Sequence, residues 1–168
     1  MVGMAQFFKV SSAQFVSSAT DLLGITPQEA ISVYESIILP KRATSGSAGY
    51  DFFTPVKIEL APGESLSVPT GIRARIDEGW VLMLYPRSGL GFKYGMKLAN
   101  TVGVIDSDYY YSDNEGHIIA KITNTSADKT ITVEAGKGFI QGVFTPFGIT
   151  VDDEADGVRN GGFGSTTK

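Results

Sequence analysis

The sequence predicts a mainly β protein, a sandwich, jelly roll or barrel, with a short helical segment near the N-terminus. Three observations carry this. About eight short stretches with apolar residues at alternate positions succeed one another between residues 50 and 147. Twenty glycines and seven prolines punctuate the chain, concentrated between those stretches, where tight turns need them. Helical spacing of apolar residues is confined to residues 11–39. At 168 residues, a single domain with its own hydrophobic core is expected. It divides into helices at 11–39, a β core at 41–150 and a tail at 151–168.

A first helix is expected after Ser11 and Ser12, with Phe15, Val16, Ala19, Leu22 and Leu23 on one face and Gly24 as its stop. Thr26-Pro27-Gln28-Glu29 reads as a capping box with proline at the first helical position. Ala30, Val33, Tyr34, Ile37 and Ile38 form the apolar stripe of a second helix, which Pro40 ends. Both stripes are expected to pack on the domain or on a neighbouring subunit. From Gly49 onward the period becomes two, with strands expected at 50–54, 56–60, 65–76, 80–85, 97–104, 118–123, 130–134 and 139–147. Turns are expected at Pro62-Gly63, Asp77-Glu78-Gly79, 87–95, 112–116, 124–129 and 136–138. The tail is rich in acids and glycines and holds too little apolar surface to order itself.

Composition excludes several chemistries. A formal net charge of −4 gives no global attraction to nucleic acid or to an acidic membrane, so no such partner is expected and any polyanion site must be local. Without cysteine there is no disulfide, thiolate catalysis or Cys-bound metal. The single histidine, His117, rules out a poly-His metal site and reads as a solvated or hydrogen-bonded strand residue rather than a catalyst. No apolar run approaches ~20 residues, and no basic segment precedes an apolar one at the N-terminus. A soluble, cytoplasmic protein is expected.

The most informative stretch runs from 96 to 115. Its alternation meets Gly103, turns apolar at Val104 and Ile105, and ends on a carboxylate, Asp106. Such a bend lets backbone approach a ligand closely. A carboxylate there is expected to be partly desolvated, which raises its pKa toward a general base's working range. Tyr109 follows, with a flat apolar face and one polar tip. Taken alone, this is also what an ordinary acidic turn looks like. In 86–95, Arg87, Ser88 and Gly89 sit in a glycine-rich stretch suited to phosphate: the guanidinium offers a planar fork, and glycines let N–H groups face an anion. The spacing of a Walker loop is absent. At 159–166, glycines flank a lone Phe163, preceded by Arg159 and followed by Gly164 and Ser165. An aromatic ring among flexible residues suits stacking on a base, and such a segment could close as a lid. Asp51 could bond to a nearby turn or help hold metal-bound waters, and Gln141 could bond a phosphate or a ladder partner.

Taken together and in order, A-G-Y-D at 48–51, P-R-S-G-L-G-F-K-Y-G at 86–95, N-T-V-G-V-I-D-S-D-Y at 100–109, G-K-G-F-I-Q at 136–141 and R-N-G-G-F-G-S-T at 159–166 closely resemble the five motifs of the trimeric dUTPase family. The likeness covers about residues 41–168. It implies a jelly-roll homotrimer with shared active sites, hydrolysing dUTP to dUMP and pyrophosphate with Mg²⁺. By matching position, Asp106 would be the general base, and Arg87, Ser88 and Gly89 would hold phosphates. Asn100 with Gly103, Val104 and Ile105 would read the uracil edge, and Tyr109 would pack under the deoxyribose. Gln141 would bind phosphate, Arg159 would clamp the γ-phosphate, Phe163 with Gly164 and Ser165 would close over the nucleotide, and Asp51 would support the metal through water.

Departures are visible. Gly138 stands where the family's fourth motif usually has Arg, and the fifth motif is one residue shorter after Arg159. The third motif is followed by an insertion, residues 110–114. The helical segment is longer than the family's minimal N-terminus and is a candidate surface for a protein partner. Two other readings compete: a dCTP deaminase of the same fold, disfavoured because Lys121 stands where the catalytic glutamate would be, and a nucleotide-sensing binding module.

Overall fold

The computed structural model describes residues 3–159 and 161. It begins with a strand the apolar pattern does not announce, β1 (Ala5–Lys9). Helix α1 (Ser12–Leu23) follows, with Ser11 as N-cap accepting from the Gln14 N–H and Gly24 closing it at φ 65°. Helix α2 (Pro27–Glu35) has the expected reciprocal box between Thr26 and Glu29. It stops at Glu35 rather than running to Pro40, and Ile38 is 43 % exposed while Ile37 is buried. The stripe is therefore shorter than its spacing suggests, because Ile37 enters the core from an irregular segment.

The strands are β2 (Lys41–Arg42), β3 (Tyr50–Phe53), β4 (Ile58–Leu60), β5 (Ser65–Pro69), β6 (Ile72–Ile76), β7 (Trp80–Pro86), β8 (Met96–Leu98), β9 (Gly103–Ile105), β10 (Ile119–Asn124), β11 (Ile131–Val133) and β12 (Gly138–Pro146). Every pairing among them is antiparallel, in four sheets ordered β2-β3-β12-β7-β9, β5-β10-β8, β1-β6 and β4-β11. The expected mainly β architecture is what the chain adopts.

Two of the expected strands are each divided. The stretch 65–76 breaks at Gly71 (φ 72°), where an added Cβ would stand 2.3 Å from the Ile37 Cδ1 and 3.2 Å from the Phe15 ring. That break brings the N-terminal helices against the sheet. The stretch 97–104 breaks at a turn carrying Thr101 at φ 68°. The glycine-rich stretch 87–95, expected as a turn, contains a helix instead, α3 (Ser88–Tyr94), closed by Gly95 at φ 65°. Leu90 and Tyr94 on this helix both pack on the core, an i, i+4 pair.

One core joins the sheets and helices. Phe52, Ile58, Leu82, Ile122, Phe139 and Ile140 are fully buried, together with Phe15 and Ala19 of α1 and Ala30 of α2. Each large side chain among them contributes on the order of 1.5–3 kcal/mol by leaving water. The helices thus pack on this domain.

Candidate active site

The long pair β7–β12 is the frame on which the site residues hang. Where β7 ends at Pro86, Arg87 turns the chain into α3, and its guanidinium crosses toward the neighbouring strands. Arg87 Nε lies 3.1 Å from Asp51 Oδ1, and Arg87 Nη1 donates to the Gly138 carbonyl at 3.3 Å. Asp51 on β3 and Tyr85 on β7 both stand opposite Gln141 of β12, whose Nε2 donates to the Pro86 carbonyl at 3.3 Å. Two glycines make this cluster possible. A Cβ at Gly138 would stand 2.8 Å from Arg87 Nη1, and one at Gly49 would stand 2.5 Å from Gln141 Oε1. Gly138, where resemblance leads one to expect arginine, is the space Arg87 occupies. Ser88 and Gly89 open α3, at the end where helical N–H groups lack intrahelical acceptors.

A second cluster surrounds a cavity of about 570 Å³ lined by Asn100, Gly103, Val104, Ile105, Asp106 and Tyr109, with Leu84, Leu98, Ile118, Ala120, Lys121 and Arg159 completing its walls. This volume falls within the usual range for small-molecule sites, about 300–1,000 Å³. β9 lies close against β7: a Cβ on Gly103 would come within 3.0 Å of the Leu84 side chain, so glycine is what lets this strand lie against Leu84. Asp106 is half-buried in the single chain. Its side chain is 44 % exposed and ion-paired to Arg159, Nη2 to Oδ2 at 2.5 Å. Arg159 Nε also bonds Asp108 Oδ1 at 2.8 Å. Tyr109 is buried, which pushes its phenol pKa up. Its hydroxyl donates to the His117 carbonyl at 2.8 Å and accepts from Asn114 Nδ2 at 2.8 Å.

His117 itself is fully buried and hydrogen-bonded, accepting from the Gly71 N–H at Nε2 and facing Ser18 Oγ at Nδ1. Burial of the ring drives its pKa down to about 4, the nearby Glu115 carboxylate opposing this. Burial alone would raise the Glu115 carboxyl; bonds from the Ser11 N–H and hydroxyl and the charge of Arg73 together hold it below its usual range.

The two clusters lie toward opposite ends of β7. Ile105, the residue before Asp106, pairs with Leu82, whereas Arg87 follows the strand's last residue. At ~3.3 Å per residue, the stretch from Leu82 to Arg87 puts Ile105 and the Asp106 after it roughly 16 Å from Arg87, while Gly103, at the near edge of the cavity, pairs with Leu84. Of the residues singled out in the sequence, Asp51, Arg87 and Gln141 come together with Ser88 and Gly89 beside them. Asn100, Gly103, Val104, Ile105, Asp106, Tyr109 and Arg159 come together around the cavity. Phe163, Gly164 and Ser165 lie outside the described residues. Sequence reasoning missed Asp108 and Asn114 as partners of site residues, and Lys121 as a cavity wall. A carboxylate two positions from Asp106 was the available signal for the first. Among the described residues, no group of three or more His, Asp or Glu side chains could cage a metal ion, and no helix is long and apolar enough to cross a membrane.

A cavity lined by apolar side chains and hairpin backbone with a few polar groups, Asn100, Asp106, Lys121 and Arg159 among them, suits a flat base and its sugar. An arginine beside free helical N–H groups suits a polyphosphate. Fold and site therefore define a β-architecture enzyme class acting on a nucleotide. The dUTPase family model matches residues 35–167, and the chain belongs to that family. It is 43 % identical over 143 residues to the deoxyuridine 5'-triphosphate nucleotidohydrolase of Lactococcus lactis, spanning 82 % of this chain and 95 % of that one. The crystal structure of the dUTPase from Streptococcus mutans superposes with a TM-score of 0.60 at 45 % identity, over 67 % of this chain and 88 % of that one. A mutant dUTPase of phage phi11 of S. aureus, solved with a coordinated structural Mg(II) ion, shares the fold at TM-score 0.63 and 19 % identity, over 92 % and 98 % of the two chains.

Proposed function

We propose that neighbouring copies of this chain together complete each active site of a dUTP-hydrolysing enzyme. The protein is a dUTP diphosphatase, converting dUTP to dUMP and pyrophosphate. The observation that carries the shared-site reading is the separation along β7. One chain keeps its Asp106 cavity and its Arg87 cluster too far apart for a water at Asp106 to reach a phosphorus held by Arg87. In a closed ring of three copies, the Arg87 end of one protomer meets the Asp106 end of the next through a heterologous interface.

In this arrangement the base and deoxyribose enter the cavity. Backbone groups of residues 103–105 and the Asn100 amide read the uracil edge, and buried polar groups of this kind discriminate strongly against a base that leaves them unpaired. Tyr109 presents carbon to the sugar. Arg87, Ser88, Gly89 and Gln141 bind phosphate oxygens, and Arg159 leaves Asp106 and Asp108 for the γ-phosphate. Freed from that pair, Asp106 takes a proton from a water that attacks the α-phosphorus. The bond from the α-phosphorus to its bridging oxygen breaks, and pyrophosphate departs with the electron pair. Phe163, Gly164 and Ser165 close over the nucleotide.

Magnesium fits the donor set as an ion held mainly by phosphate oxygens and water, since no carboxylate cage exists among the described residues. Asp51 would steady it through water, and its charge would offset that building up on the leaving oxygens. Arg87, bonded to Asp51, carries the same task from the protein side.

The test is pyrophosphate release from dUTP, UTP, dTTP and dCTP, with and without Mg²⁺, for the natural protein and for Asp106→Asn. The expected result is Mg²⁺-dependent turnover of dUTP well above the others. Asp106→Asn should lower kcat by about 10³-fold while dUTP still binds. Near-normal kcat in that variant would overturn the assignment, and ammonia release from dCTP with inert dUTP would make the protein a deaminase.

A further inference from the structure

The insertion that follows the third motif is tied to the cavity through one side chain. Asn114 Oδ1 accepts from the Gly116 N–H at 3.1 Å, which fixes the amide orientation and aims Nδ2 at Tyr109 Oη, 2.8 Å away. The tyrosine hydroxyl must then donate to the His117 carbonyl. Both hydrogen-bonding capacities of the phenol are thus engaged inside the protein, and the ring offers the cavity only carbon. The turn that carries Asn114 is itself held firmly. Gly116 (φ 69°) leaves no room for a Cβ, which would stand 2.7 Å from the Tyr109 carbonyl oxygen. Arg73 stacks on Tyr110 at 3.6 Å, and the Glu115 carboxylate caps α1 through Ser11.

We infer that Asn114 is a positioning residue for sugar selectivity: it locks the Tyr109 ring so that the cavity cannot widen to admit a 2′-hydroxyl. This rests on the reading above that Tyr109 faces the deoxyribose. A loose aromatic wall would reject an added hydroxyl poorly, because apolar pockets discriminate against such a group by only about 10²-fold. Rigidity of the ring is what raises that discrimination. The N-terminal segment, through Ser11 on Glu115 and Ser18 on His117, buttresses the lock.

The experiment compares kcat/KM for dUTP and UTP in the natural protein, Asn114→Ala, Asn114→Asp, Tyr109→Phe and Tyr109→Ala, with thermal unfolding in parallel. Asn114→Ala should reduce the dUTP/UTP ratio about tenfold through a gain for UTP, with kcat for dUTP within about twofold. Asn114→Asp keeps the Gly116 bond but removes the donor to Tyr109, whose single proton already goes to the His117 carbonyl, so it should lower the ratio as Asn114→Ala does while leaving the turn in place. Should Asn114→Ala fail to fold, Tyr109→Phe supplies the same test, since it removes both bonds and keeps the ring; it should shift the ratio in the same direction. A ratio collapsed by Tyr109→Ala but untouched by Asn114→Ala or Tyr109→Phe overturns this inference alone. If Tyr109→Ala also leaves the ratio unchanged, the sugar-facing reading of Tyr109 falls and the inference falls with it.

Discussion

The two ends of β7 solve different problems with the same strand. At one end, Arg87, Asp51 and Gln141 converge from three adjacent strands in register, and glycines at 49 and 138 clear the space in which their long side chains lie. At the other, the pocket around Asn100, Asp106 and Tyr109 is bounded by a short hairpin whose shape depends on Gly103 and on Thr101 at φ 68°. The first region is a charged cluster, which the proposed mechanism assigns to the phosphates. The second is a hollow whose carboxylate, Asp106, is ion-paired to Arg159, and in the proposed mechanism it takes the base and sugar. On the proposed shared-site reading, charge at one end and shape at the other mean that neither half alone brings water to phosphorus.

The pocket end has a buttress that the phosphate end lacks, and this asymmetry gives the larger stability effect. His117 is neutral and buried behind Tyr109, with its pKa lowered from the ordinary 6.5 to about 4. The group charges more readily in the unfolded chain, so its contribution is fully present above pH 6.5 and is lost as pH falls through 6.5 toward 4. Between about pH 7.5 and pH 5 this amounts to roughly 2 kcal/mol. Urea unfolding at fixed protein concentration should show that loss. Because His117 is the sole histidine, its ring resonances read the titration directly. A midpoint near 6.5 in the folded protein would contradict the buried, neutral assignment.

A smaller effect sharpens the contrast at the phosphate end. Gly138→Ala places a methyl group 2.8 Å from the present position of Arg87 Nη1. The guanidinium is the far end of a flexible side chain, so stability should change little. Displacing it from Asp51 should nevertheless lower kcat/KM for dUTP on the order of threefold to tenfold, because phosphate positioning is sensitive to shifts below 1 Å. Unchanged kcat/KM would mean that Arg87 finds its working position independently of the space at 138.

Much of this was legible in the chain. Alternation located β3, β7, β10 and β12, and the capping residues Ser11 and Thr26 with Gly24 located both helix starts and the first helix end. Chemistry-bearing residues could be picked out because glycine, arginine and carboxylate recur in unusual company around 87, 106 and 159. What escaped depends on tertiary context. Gly71 breaks a continuous alternating run only because the N-terminal helices need the close approach there. Helix α3 was hidden by its glycines, although the Leu90/Tyr94 pair that anchors it was present in the spacing. The separation of Asp106 from Arg87 follows from strand register, which no local pattern encodes.

Mixing two inactive variants tests the shared site most directly. Arg87→Ala and Asp106→Asn, each assembled alone, should both be nearly inactive on dUTP. Co-expressed in equal amounts, they should form mixed rings in which sites pairing an intact Asp106 from one protomer with an intact Arg87 from its neighbour arise at random. About a quarter of natural turnover should then return. If the mixture stays as inactive as its parents although mixed assemblies form, Asp106 and Arg87 serve the same site from one chain, and the division of labour along β7 is wrong.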